Sequence, residues 1–244
     1  MSAWLEKLIG PTAAVAPPAL GERLRGYPPF TPLHPGQKLS KAEAEANLAQ
    51  LVEAVPERLR IVVAFLLHEE LDPRPALSQN DPRPFLTSLW DWGRLTWKTA
   101  PQPWRGIRSW RESRRDGDDI LLSLLSDIGV VLAEIIRGFR PYYHWAMVDG
   151  RDERSSSYYR QPVLKIDATR PTDEPPYKVF DLIDVVVHNC AQADRPRAGD
   201  RNEMAYVVSE CVLGGYEWAW KGLTVAPPTQ SWETFLAERA AGAP

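Results

Sequence analysis

Cysteine is nearly missing from this chain: Cys190 and Cys211 are the only two in 244 residues. Two thiols cannot make a disulfide framework, and both sit in apolar, helix-patterned surroundings, so they are expected as buried free thiols suited to a reducing compartment. Long hydrophobic runs are missing too. The longest, Ile61 to Leu67, falls far short of the roughly 20 residues that span a bilayer, and charges bound it on both sides, so no membrane partner is expected. The stretch Met1 to Gly10 has apolar residues but neither a positive leader nor a long hydrophobic core, which argues against a signal peptide and for a cytoplasmic location. Neither sign of charge dominates: 29 Lys and Arg face 32 Asp and Glu, a net −3, which gives no general pull toward nucleic acid.

The motifs of the common chemistries are also missing. There is no GxSxG elbow, no GxxxxGK[ST] phosphate loop and no GxGxxG; Gly214-Gly215 sits in a helical, aromatic context and reads as a packing feature. His34, His68, His144 and His188 do not recur at metal-ligand spacing, and His68-Glu69-Glu70 is not the two-histidine pattern of a zinc protease. His188 and Cys190 are two residues apart, about 200° around a helix, so they do not face each other as a nucleophile pair. No metal and no cofactor is expected.

What is present is enough apolar material, 44% of the chain, for a sizeable core. The clearest element runs from Asp118 to Val148. Ile120, Leu121, Leu124, Leu125, Ile128, Val131, Leu132, Ile135 and Ile136 recur at spacings of three and four and place one broad apolar face on a helix. Asp118 and Asp119 open it at the positive end of its dipole, and Gly138 followed by Pro141 reads as a left-handed cap and a stop. The period then changes to two, with strands expected over Tyr142 to Val148 and Arg160 to Asp167 as antiparallel neighbours. The fold class that follows is α+β and helix-rich, with several helices packed around a small antiparallel sheet in one globular domain over 1–244.

Within that domain, 1–39 forms an N-terminal strap, 40–115 a helical part, and 116–225 the central helix, strands and later helices. Prolines from Pro11 to Pro35 make the strap extended, with Leu20, Leu24, Tyr27, Phe30 and Leu33 packing on the body. Ser40 and Glu43 form a capping box for a helix. Pro56 is read as the start of a second helix, so that 40–71 becomes a helical hairpin. Asp72-Pro-Arg-Pro75 and Asp81-Pro-Arg-Pro84 read as helix punctuation, the second preceding a helix over Phe85 to Lys98. Five of the ten tryptophans fall between Trp90 and Trp110 and are expected to fill gaps between helices. Phe180 to Ala193 and Asn202 to Trp220 are read as helices, with the start of the former open to a strand reading. The Pro-rich 226–230 and a helix over Trp232 to Arg239 end the chain.

Three groups merit weighing as sites. Asp127 and Glu134, seven residues apart on one side of the central helix, could serve as an acid/base pair in a hydrolase or transferase, although Arg137 lies at i+3 from Glu134. Arg105, Arg108, Arg111, Arg114 and Arg115, with Trp104 and Trp110, offer a phosphate- and base-contacting surface, but the acidic residues that follow favour a solvated linker. The preferred functional surface is the loop carrying Asp149, Asp152, Glu153, Tyr158 and Tyr159, residue types that anchor a basic protein partner.

The combination His34-Pro-Gly, Ser40 to Asn47, Asp81-Pro-Arg-Pro84, Ser123 to Asp127, and Tyr142 to Trp145 followed by Arg160-Gln-Pro-Val-Leu164 resembles a family of bacterial cytoplasmic proteins over most of the chain. Its helix-then-Trp-strand centre is similar to α+β domains of immunity proteins that neutralise effectors of contact-dependent or type VI secretion. The resemblance implies an inhibitor rather than a catalyst, with a cognate toxin as partner. It carries over no functional residue, and an adaptor of a secretion apparatus is the remaining alternative.

Overall fold

A computed structural model describes residues 18–103, 109–166, 179–193 and 202–213. These hold seven α-helices and a three-stranded antiparallel sheet: α1 (Leu20–Arg23), α2 (Lys41–His68), α3 (Arg74–Leu77), α4 (Arg83–Thr96), α5 (Ile120–Phe139), β1 (His144–Met147), β2 (Pro162–Lys165), β3 (Val179–Phe180), α6 (Leu182–Ala193) and α7 (Glu203–Leu213). The helix-rich α+β reading holds. The expected elements at 1–10, 226–230 and 232–239, Gly214-Gly215, and the residues Trp104, Arg105, Arg108, Asp167 and Trp220 lie outside the described residues.

Helix α5 is the axis of the molecule, packed by α2, α3, α6 and α7. One broad apolar face understates it. Ser123, Ser126, Asp127, Gly129, Val130 and Ala133 are buried along with the leucines and isoleucines, so the helix is enclosed on nearly every side. Burying each Leu or Ile contributes roughly 1.5–3 kcal/mol, which makes this helix the main apolar store of the fold. Its closest neighbour is α6, admitted by Gly129: a Cβ there would sit 3.0 Å from the Cα of Ile183. The helix also ends one residue later than expected. Gly138 is helical, and Arg140 leaves the helix at φ −131° and ψ 81° ahead of Pro141. At the other end Gly117–Asp119 form a 3-10 turn, and the Asp119 carboxylate accepts from the Ser113 hydroxyl instead of capping α5.

The expected hairpin at 40–71 is one continuous helix, α2, with Pro56 inside it. Pro56 removes the hydrogen bond to the Val52 carbonyl, but Val52 and Pro56 are both exposed, so water takes the freed oxygen and the helix runs on. The capping box is present, with Ser40 N–H donating to Glu43 Oε2 at 2.7 Å and Glu43 N–H to Ser40 Oγ at 3.3 Å. Asp72 and Asp81 act as the expected punctuation, each accepting from the backbone N–H of the arginine two residues on, at 3.0 and 2.9 Å, where α3 and α4 begin.

The sheet has the order β1-β2-β3, with Trp145 opposite Leu164 and Leu164 opposite Phe180. All three side chains are buried, and α2 covers β1 and β2. Pro162 occupies the first position of β2, where a missing N–H is tolerated. Both cysteines are buried and free. Trp90, Trp97 and Trp110 are buried and Trp92 packs against the core, as gap-fillers do.

Candidate functional site

The polar groups of α5 fall on one strip, Ser123, Ser126 and Asp127, and this strip fastens two irregular segments to the core. Arg58 Nε donates to Asp127 Oδ1 at 2.9 Å and Nη2 donates to Oδ2, while Tyr27 Oη donates to Oδ2 at 2.6 Å. The same Arg58 Nη2 holds the Pro28 carbonyl at 2.8 Å. Burial pushes the Asp127 carboxyl up from its ordinary value, and Arg58 followed by Tyr27 opposes that push; with a guanidinium across both oxygens the group is a carboxylate. The strap is also held by side-chain amides of α2. Asn47 exchanges two hydrogen bonds with the backbone of His34, and Gln50 bridges the Leu33 N–H and the Thr31 carbonyl. Leu20, Leu24 and Tyr27 are buried as expected, whereas Leu33 is 58% exposed, because only its backbone is used.

The arginines after residue 109 depart from the solvated linker expected of them. Arg111 and Arg115 are both buried against Trp110, their guanidinium carbons 5.1 and 5.2 Å from its ring centroid. Arg115 adopts a left-handed backbone (φ +60°), donates to Ser126 Oγ at 2.8 Å and accepts from Ser123 through its carbonyl. Burial lowers it to about 10, so it is still a cation at neutral pH. Arg111 donates to Asp181 Oδ2 at 2.6 Å, lies 3.3 Å from Asp184 and holds the Ser157 carbonyl. Asp181 caps α6 at the same time, accepting the Asp184 N–H at 3.0 Å. Arg114 alone of the described series stands mainly in solvent.

The catalytic pairing of Asp127 with Glu134 does not form. Asp127 is sealed under Arg58 and Tyr27, whereas Glu134 accepts from Arg137 at 2.6 Å and from Trp145 Nε1 at 3.2 Å. Neither lines a described cavity. Among the described residues no three His, Cys, Asp or Glu side chains converge as metal ligands, and no helix is long and apolar enough to cross a membrane.

The loop expected to face a partner is pinned at both ends. Asp149, 23% exposed, accepts from Arg160 Nε at 2.6 Å and from Tyr159 Oη at 2.9 Å, with Lys41 at 3.9 Å. It is thus an internal partner more than a free anion. Asp152 stands exposed in the 3-10 turn Arg151–Glu153. Glu153 folds back, its carboxylate 2.4 Å from where a Cβ on Gly150 would lie. Tyr158 is half-buried, and Tyr159 lies under the Arg160 guanidinium at 5.0 Å.

Between this loop and the strap opens a cleft of about 500 Å³, its lining drawn from 37–39, Arg111, 154–157, Tyr159 and Arg160. Arg111 is its floor, Lys38 and Arg154 its exposed rim, and Arg160, which also holds the Leu39 carbonyl at 3.0 Å, one wall. Ser155, Ser156 and Ser157 add hydroxyls. The lining has four cationic side chains and no carboxylate, imidazole or thiol, so it offers hydrogen-bond donors and positive charge. The sequence missed it because the arginines converge from positions 111, 154 and 160, and nothing local in the chain records that convergence. Compared with known proteins, the chain matches no family model, no curated protein and no solved structure, and the functional reading rests on its own geometry.

Proposed function

We propose that the protein is a non-catalytic binding protein of the immunity class, which neutralises a secreted toxin by forming a stoichiometric complex. The observation that carries this reading is the loop 149–160. Its ends are fixed by Asp149, Arg160 and Arg111, while Asp152 and Tyr158 are carried on the turns between. A pre-ordered loop with aromatic and acidic groups binds at low entropic cost, and an interface of roughly 1,600 Å² in total is the ordinary size for such a complex. The burial of Asp127 and the separate pairing of Glu134 weigh against the hydrolase or transferase alternative.

The test is affinity capture of the tagged protein from the lysate of its host, identification of what is bound, and assay of that partner's toxicity with and without the protein. Recovery of a toxin whose activity the protein abolishes supports the reading. Recovery of a structural component of a secretion apparatus, with no activity to silence, replaces it with the adaptor role.

A further inference from the structure

We infer that the cleft between the strap and the loop 149–160 is an anion site for a small phosphate-bearing molecule. Of the cleft's four cations, Arg160 is answered by Asp149, and Arg111 by Asp181 and Asp184. Lys38 and Arg154 form no ion pair with any described residue, leaving two unanswered positive charges on the rim of one concavity. A carboxylate would answer one of them, while a phosphate monoester carries about −1.5 to −2 at neutral pH and answers both.

Donor geometry agrees. Arginine forks and serine hydroxyls are the ordinary partners of phosphate oxygens, and the Ser155 and Ser157 hydroxyls have no described hydrogen-bond partner, whereas that of Ser156 is turned to the Glu153 carbonyl. The walls are already in place. Arg111, 5% exposed, ties the loop to the floor through the Ser157 carbonyl, and Arg160 ties it to the strap through Leu39. A ligand therefore meets a cleft that does not have to be assembled on binding. Its size, about 500 Å³, lies within the roughly 300–1,000 Å³ of small-molecule sites and leaves room for an organic group beside the phosphate. Tyr159 in the wall adds an aromatic side chain to the lining.

This inference is separate from toxin binding, and its test needs no partner. The full chain is titrated with inorganic phosphate, pyrophosphate and ADP by calorimetry and by amide NMR shifts, with a glutamate-rich peptide as the competing anion. Saturable pyrophosphate or ADP binding is expected, with shifts centred on 154–160 and an affinity that falls as salt rises. Lys38→Glu combined with Arg154→Glu, both exposed and unpaired positions, should lower that affinity at least tenfold while the circular dichroism and melting midpoint stay unchanged. Absence of saturable binding by any phosphate at millimolar concentration overturns the inference. So does equal affinity in the double variant, or tighter binding of the peptide than of pyrophosphate, which would make the cleft a protein contact.

Discussion

Arg58 and Asp127 meet across 69 residues of chain, with Arg58 Nε 2.9 Å from Oδ1 and Nη2 on Oδ2, both side chains shut away from solvent. Tyr27 closes the triad from the strap. Removing one member of a buried pair leaves the other charge uncompensated, at a cost of about 3–5 kcal/mol. Asp127→Asn and Arg58→Ala should each lose that much in urea unfolding, and Arg58→Met with Asp127→Leu should recover a large part of it. A loss below about 1 kcal/mol in the single variants would show that the pair does not hold the strap to the core.

The contact of α5 with α6 is set by Gly129, which has no side chain to keep Ile183 away. A Cβ there would meet Ile183 backbone atoms at 3.0 and 3.1 Å, and backbone cannot swing aside as a side chain can. Gly129→Ala should therefore destabilise by about 1–3 kcal/mol despite the higher helix propensity of alanine. Chemical denaturation decides the sign, and a stabilised variant would mean that the two helices separate easily.

Asp181 links Arg111 to α6, and burial, chiefly, pushes its carboxyl up to about 6, with Arg111 opposing and Asp184 adding. The unfolded chain protonates the same group near its ordinary value of about 3.9. The folded state thus holds this proton more tightly: the stability it gives is complete below about pH 4 and is lost as pH rises through about 6. The difference between the native chain and Asp181→Asn should change by on the order of 1–3 kcal/mol across that window. Unfolding curves from pH 4 to 7 measure it, and a constant difference would rule out Asp181 as the titrating group.

Reversal of the loop charges separates docking from folding. Asp152 makes no described contact, and Glu153 reaches only over Gly150, so Asp152→Lys with Glu153→Lys should leave the melting midpoint unchanged while the captured partner is bound at least tenfold more weakly. Asp149→Lys differs in kind, because it also removes the acceptor of Arg160 and Tyr159. Unchanged affinity in the double variant would remove this loop from the interface.

The elements written in local sequence were legible: the α5 periodicity, the two strands, the capping box at Ser40 and the Asp-Pro starts of α3 and α4. Pro56 misled because the rule against interior proline assumes a buried or unsolvated carbonyl, and here the freed oxygen faces water. The site was the least legible part. Whether Arg111 and Arg115 are solvated or buried depends on Asp181 and Ser126, which lie 70 and 11 residues away. One signal was available. Arg58 stands in the stripe Leu51, Val55, Val62, Leu66 of α2, and Asp127 stands in the apolar body of α5, so each charge sat where only a buried partner could make it tolerable.

If the protein silences a partner by occupying it, as proposed, a titration of the captured toxin's activity against added protein is the direct measurement. Stoichiometric binding predicts a linear loss of activity that ends at one protein per toxin, with native toxin recovered when the complex is dissociated. Complete silencing by a small fraction of an equivalent, with a toxin that stays modified after separation, would mean turnover and contradict the account.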